Sequence, residues 1–151
     1  MRHARRVEPR LSLVTLGVTD LDAARRFYVD GLGWRPVLDA GEAVFLQVGH
    51  GLLLSLYGRN DLARDAGTAA GPTAEPPPFS LAHNVGSDQE VRDVVERMRA
   101  AGGDVVAEPS RASWGGTTAY VADPDGFRWE VAHNPWLVVG ADGAVRMGTP
   151  G

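Results

Sequence analysis

With 151 residues, a formal net charge of −4 and arginine as its only strong base, the chain has the size of one domain and no basic stripe to suit a nucleic acid. A hydrophobic content of 44% with 23% charged residues is ordinary for a globular protein, which sets aside disordered and fibrous classes. Cysteine and lysine are both absent, which excludes disulfides, thiolate nucleophiles, zinc–sulfur sites, lysine Schiff bases and a P-loop lysine.

Residues 1–10 read as a leader. Its Arg2-His3-Ala4-Arg5-Arg6 is charged, but the run behind it is interrupted by Ser12, Thr15 and Gly17 and makes no signal peptide. No stretch approaches the length of a transmembrane helix, so a cytoplasmic location is expected, with no membrane partner.

The segment 11–57 reads as a first module. Weak alternation over 11–18 predicts a strand, and Thr19 or Asp20 then caps a helix in which Leu21, Ala24, Phe27 and Tyr28 recur at helical spacing. Gly31 or Gly33 stops it. The runs 44–48 and 52–57 form a hairpin around Gly49-His50-Gly51. Residues 58–78, rich in Ala, Gly, Thr and Pro and ending in Pro76-Pro77-Pro78, read as a linker.

The segment 79–134 repeats the order. Ser87 or Asp88 caps a helix with Val91, Val94, Val95 and Met98 on its apolar stripe, ended at Gly102-Gly103. Val105-Val106 is a short strand closed by Glu108-Pro109. Strands over 118–122 and 128–133 flank the turn Asp123-Pro124-Asp125-Gly126. The tail, 135–151, carries a small extra hairpin around Gly140-Ala141-Asp142-Gly143.

Strand, helix and hairpin thus occur twice, and each copy leaves a sheet face that it cannot bury alone, so a pair makes one stable domain. The expected architecture is α+β, two βαβββ modules in pseudo-twofold arrangement forming a concave sheet around a cleft.

The Asp-capped helix running into Gly31-Leu32-Gly33-Trp34, with Asp123-Pro124-Asp125-Gly126 leading to Trp129-Glu130-Val131, resembles the vicinal oxygen chelate superfamily over about residues 11–134. That group includes glyoxalase I, bleomycin-resistance proteins, extradiol dioxygenases and fosfomycin-resistance enzymes. One such fold hosts many sites, so the resemblance implies the fold more narrowly than the activity. In metal-using members it puts ligands early in the first strand and within the last strand of each module. Those positions fall here on Leu13, Ser55, Ser80 and Glu130. Only Glu130 offers a good donor, so no metal and no other cofactor is expected. The resemblance also implies a homodimer.

Glu130 stands in an apolar strand and reads as a pocket-rim acid paired with an arginine such as Arg128, as a proton acceptor toward a ligand, or as a metal ligand. Asn84 alternates with Ala82 and Ser80 and faces the same side, where an amide would hydrogen-bond a ligand or satisfy backbone. Gln47, Ser55 and Tyr57 are the polar residues of the first module's lining. Trp114, beside Gly115-Gly116, is either a pocket wall or a loop anchor. His83 falls on the opposite face, toward the helix. His133, His50, Trp34 and Trp129 read as structural or solvent-facing.

The function expected is binding of a small organic ligand, aromatic or planar, in the cleft between modules, through Gln47, Ser55, Tyr57, Ser80, Asn84, Trp114 and Glu130. Two rivals stand beside it. One is a lyase, isomerase or dioxygenase relative that uses a metal, or Glu130 as acid and base. The other is a dimeric interaction module.

Overall fold

The protein is described here by a computed structural model that covers residues 6–148; residues 1–5 of the leader and 149–151 of the tail lie outside it. Strand β1 (Leu13–Val18) leads into α1 (Leu21–Arg25), whose N-cap Asp20 accepts from the backbone N–H of Asp22 and Ala23. The helix then widens into a π-type segment, Arg26–Gly31, and Gly33 (φ 76°) supplies the left-handed residue that turns the chain away. Strands β2 (Pro36–Asp39), β3 (Ala43–Gln47) and β4 (Leu53–Gly58) complete a sheet in the order β1-β4-β3-β2, with β1 parallel to β4.

The second module is β5 (Ser80–Asn84), α3 (Asp88–Ala100), β6 (Asp104–Arg111), β7 (Thr117–Ala122) and β8 (Arg128–His133). Its order, β5-β8-β7-β6 with β5 parallel to β8, repeats the first. Ser87 accepts from the Glu90 N–H while the Glu90 carboxylate reaches back to the Gly86 N–H, the reciprocal cap expected of Ser-x-x-Glu. This is an α+β protein of two βαβββ modules.

Alternation decides what each sheet buries. Leu16, Val18, Val44, Leu46, Leu54 and Leu56 point to one side, Ala119, Val121, Trp129 and Val131 to another, and both sets join Phe27, Tyr28, Val91, Val95 and Met98 in one core. Each fully buried aliphatic or aromatic side chain there contributes about 1.5–3 kcal/mol. The modules meet tightly: a Cβ on Gly31 would lie 2.4 Å from that of Ala101, so nothing larger than hydrogen fits. The opposite face of each sheet points away from this core.

Two segments differ from the sequence reading. The region 58–78 is not simply a linker, because α2 (Arg59–Asp65) forms in it and lies over β1 and β4. Gly17 makes room for it, since a Cβ there would come within 3.1 Å of Leu62 and 3.3 Å of the Arg59 backbone. The Arg59 guanidinium also donates to the Gly71 carbonyl, which ties down the following stretch. Strand β6 does not close at Glu108-Pro109 but runs on to Arg111. As the edge strand it tolerates a proline, and shifts of register around Val105 and Ala107 and again before Ser110 absorb the irregularity.

The tail forms β9 (Leu137–Val139) and β10 (Val145–Met147), an antiparallel pair. No helix among the described residues is long and apolar enough to cross a membrane.

Candidate functional site

Between the two modules lies a cavity of about 630 Å³. Its first-module wall comes from Val14 and Leu54 and from the hairpin tip at Gln47, Val48 and Gly49. Its second-module wall is the free edge of β5, where Leu81, Ala82, His83 and Asn84 all reach it. An edge strand has no neighbour on one side, so residues of both registers can border the same space. Trp34 and Trp129 add aromatic wall, their rings 5.7 Å apart and near perpendicular. Val139, Asp142, Gly143 and Val145 of the tail hairpin close the remaining side.

The aromatic wall is fixed from behind. Trp129 Nε1 donates to the Tyr28 hydroxyl at 2.9 Å, and that hydroxyl donates to Asp123 Oδ2 at 2.6 Å. Burial pushes the Tyr28 phenol well above its ordinary value, with the Asp123 charge adding to the effect. Burial also raises the Asp123 carboxyl, against the hydrogen bonds from Tyr28 and from the backbone of Phe127 and Asp125.

The polar groups of the cavity are few. Gln47 Nε2 donates to the carbonyls of Gly49 and Leu52, both at 3.0 Å, so its amide nitrogen is occupied in holding the hairpin tip. Burial pushes the His83 imidazole below its usual 6.5. Asn84 Oδ1 is buried and has no hydrogen-bond partner. Arg35 and Asp142 supply one charge of each sign, and the Asp142 carboxylate lies 3.7 Å from His50 Nε2 on the hairpin tip.

Of the residues singled out from sequence, this cavity takes Gln47 and Asn84. The other five are elsewhere. Ser55 and Tyr57 share a register on the first sheet's outer face, with Ser55 only 2% exposed and Tyr57 raised in pKa by desolvation and then by Asp65 on α2. Ser80 pairs with Arg128, and Ala82 with Glu130, placing Ser80, Asn84 and Glu130 on one face of the second sheet. Glu130 Oε2 accepts from the Tyr120 hydroxyl at 2.5 Å; Arg128 instead donates to the Gly126 carbonyl and lies 3.7 Å from Glu75. That bond raises the Tyr120 phenol, first through the hydrogen bond to Glu130. Trp114 folds onto its own loop: a Cβ on Gly116 would fall 1.9 Å from its ring.

One cavity collecting Ser55, Tyr57, Ser80, Asn84 and Glu130 is therefore not formed within the chain, because the outer faces of the two sheets look away from the shared core. His83, Trp34 and Trp129, read from sequence as structural, also border the cavity, and the two tryptophans pack in or against the core as expected. His133, read as a packing or turn residue, places Nδ1 2.9 Å from Asp88 Oδ1 at the start of α3.

The residues at the four positions where the resemblance places ligands offer few donors. Leu13 has no donor atom, Ser55 is sealed in the sheet, and Glu130 is engaged by Tyr120. Among the described residues no group of three or more His, Asp or Glu is placed to hold an ion.

Duplicated βαβββ modules whose last strand follows an Asp-Pro-Asp-Gly turn define a protein of the glyoxalase type. Residues 10–131 match the profile of the Glyoxalase/Bleomycin resistance protein/Dioxygenase superfamily, and the chain belongs to that superfamily. It is similar to a solved glyoxalase-related enzyme from Fulvimarina pelagi, at 40% identity over 94% of this chain and 100% of that one, with a TM-score of 0.86. A lactoylglutathione lyase structure from Agrobacterium tumefaciens is 25% identical over 85% of this chain and 96% of that one, with a TM-score of 0.66. The lactoylglutathione lyase of Arabidopsis thaliana is 46% identical over 46 residues, a match that takes in 30% of this chain and only 16% of the plant protein.

Proposed function

We propose that the protein binds a small organic ligand, aromatic or planar, in the cleft between its modules, and does so without a resident metal. The observation that carries this reading is the cavity itself: mainly apolar, walled in part by two tryptophans, and bordered by few polar residues. In this reading the protein is cytoplasmic and acts as a homodimer, with neither nucleic acid nor membrane as partner. Support for pairing comes from apolar side chains left in solvent, including Val37, Leu38, Phe79 and Val106. Calorimetric titration with a panel of neutral and charged aromatic compounds, on protein whose metal content has been measured, tests the reading. Saturable binding at an equimolar ratio supports it, and no binding across the panel overturns it.

The similarity to lactoylglutathione lyases favours one second reading, a lyase. Assays with S-lactoylglutathione, with and without added zinc or nickel, separate the two. Metal-stimulated turnover that is lost in Glu130→Gln would establish the lyase and displace the metal-free binder.

A further inference from the structure

Strand β5 meets the cavity with its main chain. Leu81 and His83 turn their side chains to the core side, whereas Ala82 and Asn84 share the outer face with Glu130, yet all four border the one cavity. Residues of opposite register meet one space along the edge between them, so the backbone of β5 faces the cavity. The bonds to β8 identify which groups are free. Val85 donates its N–H to the Ala132 carbonyl at 2.9 Å, the pattern of a parallel pair in which Leu81, His83 and Val85 turn their backbone groups to β8. The N–H and C=O of Ala82 and Asn84 therefore point the other way, along the free edge.

An open edge is ordinarily guarded by proline, by charge or by a covering element. Strand β2 carries Pro36 and Asp39, β6 carries Asp104, Glu108, Pro109 and Arg111, and β1 packs against α2. Strand β5 has no proline, acid or arginine, and the cavity runs along its edge. In an extended strand the C=O of one residue and the N–H two residues on lie on the same side, an acceptor beside a donor. A trans amide cannot meet both, because its own N–H and C=O point in opposite directions. A cis amide held in a flat ring can, since its N–H and C=O lie side by side. Trp129, opposite Leu81 on β8, and Trp34 supply aromatic surface for such a ring to pack against.

We infer that the cavity takes a flat heteroaromatic lactam, whose ring N–H donates to the Ala82 carbonyl and whose C=O accepts from the Asn84 N–H. This rests on the cleft-binding reading above and adds its recognition element, a strand edge in place of side chains. The lactam edge is present in 2-quinolone. Its relative 1-methyl-2-quinolone keeps the rings and loses the donor, and indole has a donor with no acceptor beside it. The wild-type protein should hold 2-quinolone about tenfold more tightly than either, because each of the others leaves one edge group unpaired. Asn84→Pro deletes the N–H at a position where it makes no bond to β8, so the ladder survives the proline. Asn84→Ala deletes the side chain and keeps the N–H.

The experiment is calorimetric titration of the three compounds into the wild type and both variants, with melting curves to confirm folding. The expected result is a preference for 2-quinolone over indole that is present in the wild type and in Asn84→Ala and falls close to one in Asn84→Pro. Equal binding of 2-quinolone and 1-methyl-2-quinolone by the wild type overturns the lactam inference and leaves cleft binding standing; this comparison needs no variant. Loss of the preference over indole in Asn84→Ala, or its survival in a folded Asn84→Pro, overturns recognition by the strand edge. No binding of any of the three overturns the lactam inference, and the cleft reading falls with it when the wider aromatic panel also fails to bind.

Discussion

Tyr28 and Asp123 stand 95 positions apart in sequence and share a buried 2.6 Å hydrogen bond that joins the two modules. The same hydroxyl accepts from Trp129, so one atom links the first module's helical segment, the Asp-Pro-Asp-Gly turn and the aromatic wall of the cavity. Tyr28→Phe keeps the ring and removes that atom. It leaves a buried carboxylate short of a donor and a buried indole N–H without its acceptor, and stability should fall by about 1–3 kcal/mol. Chemical denaturation measures this, and a wild-type loss within error would show that the tie is incidental.

Gly116→Ala provides a second test of packing. The new methyl would fall 1.9 Å from the Trp114 ring and 2.3 Å from the His133 carbonyl oxygen. The ring must leave its place on the loop, and destabilisation of about 1–3 kcal/mol is expected. Trp114→Ala relieves the clash with the ring but not that with the His133 carbonyl, so the double variant should recover part of the stability lost in Gly116→Ala. Additive losses in melting experiments would argue against the contact.

The repeated strand–helix–hairpin order was legible because alternation, caps and turn residues all agreed. Asp20, Ser87 with Glu90, and Asp123-Pro124-Asp125-Gly126 are local signals that act over a few residues. What escaped was set by tertiary context. Nothing local reveals that Gly17 clears space for α2 across β1, or that Pro109 is tolerated because β6 lies at an edge. The strand registers followed from alternation, but alternation cannot say which sheet faces look at one another. For that reason Ser55 and Glu130 were expected to share a cavity, whereas the cavity borders the free edge of β5 and gathers His83 with Asn84.

The acid side of stability should contain a component from Asp88. Its carboxyl lies below its usual 3.8, chiefly through hydrogen bonds with His133 and Thr117, and then through the charges of His133 and Arg111. A depressed folded-state value means that the contribution is fully present above pH 3.8 and is lost as pH falls through the lowered value. Asp88→Asn should therefore melt below the wild type at neutral pH, and the gap should close well below pH 3.8. A gap independent of pH would assign the effect to helix capping geometry rather than to charge.

Metal content provides a direct check on the donor argument. Protein purified without chelator should carry far less than one equivalent of zinc, nickel or iron, and Glu130→Gln should leave that content unchanged. Because the Tyr120 phenol is raised mainly by its bond to Glu130, the same variant should bring the Tyr120 titration down toward its ordinary value of 10.0 in an ultraviolet pH titration. A stoichiometric ion that disappears in Glu130→Gln would mean that this carboxylate ligates rather than holding Tyr120.

The tail hairpin separates binding from folding. Val139, Asp142, Gly143 and Val145 border the cavity, yet among the described residues the buried core includes nothing beyond Ala132. The family profile match ends at residue 131, ahead of this wall. Removing residues 135–151 should open one side of the cavity while leaving the two modules and their Tyr28–Asp123 link in place. The shortened protein is expected to unfold with a stability within about 1 kcal/mol of the full chain, as for a peripheral change. Its affinity for a neutral aromatic probe should fall by about tenfold or more, since a cavity open on one side leaves more of the ligand in water. The reverse pattern, unfolding with the tail removed or unchanged affinity without it, would show that the hairpin supports the fold and is not a wall of the site.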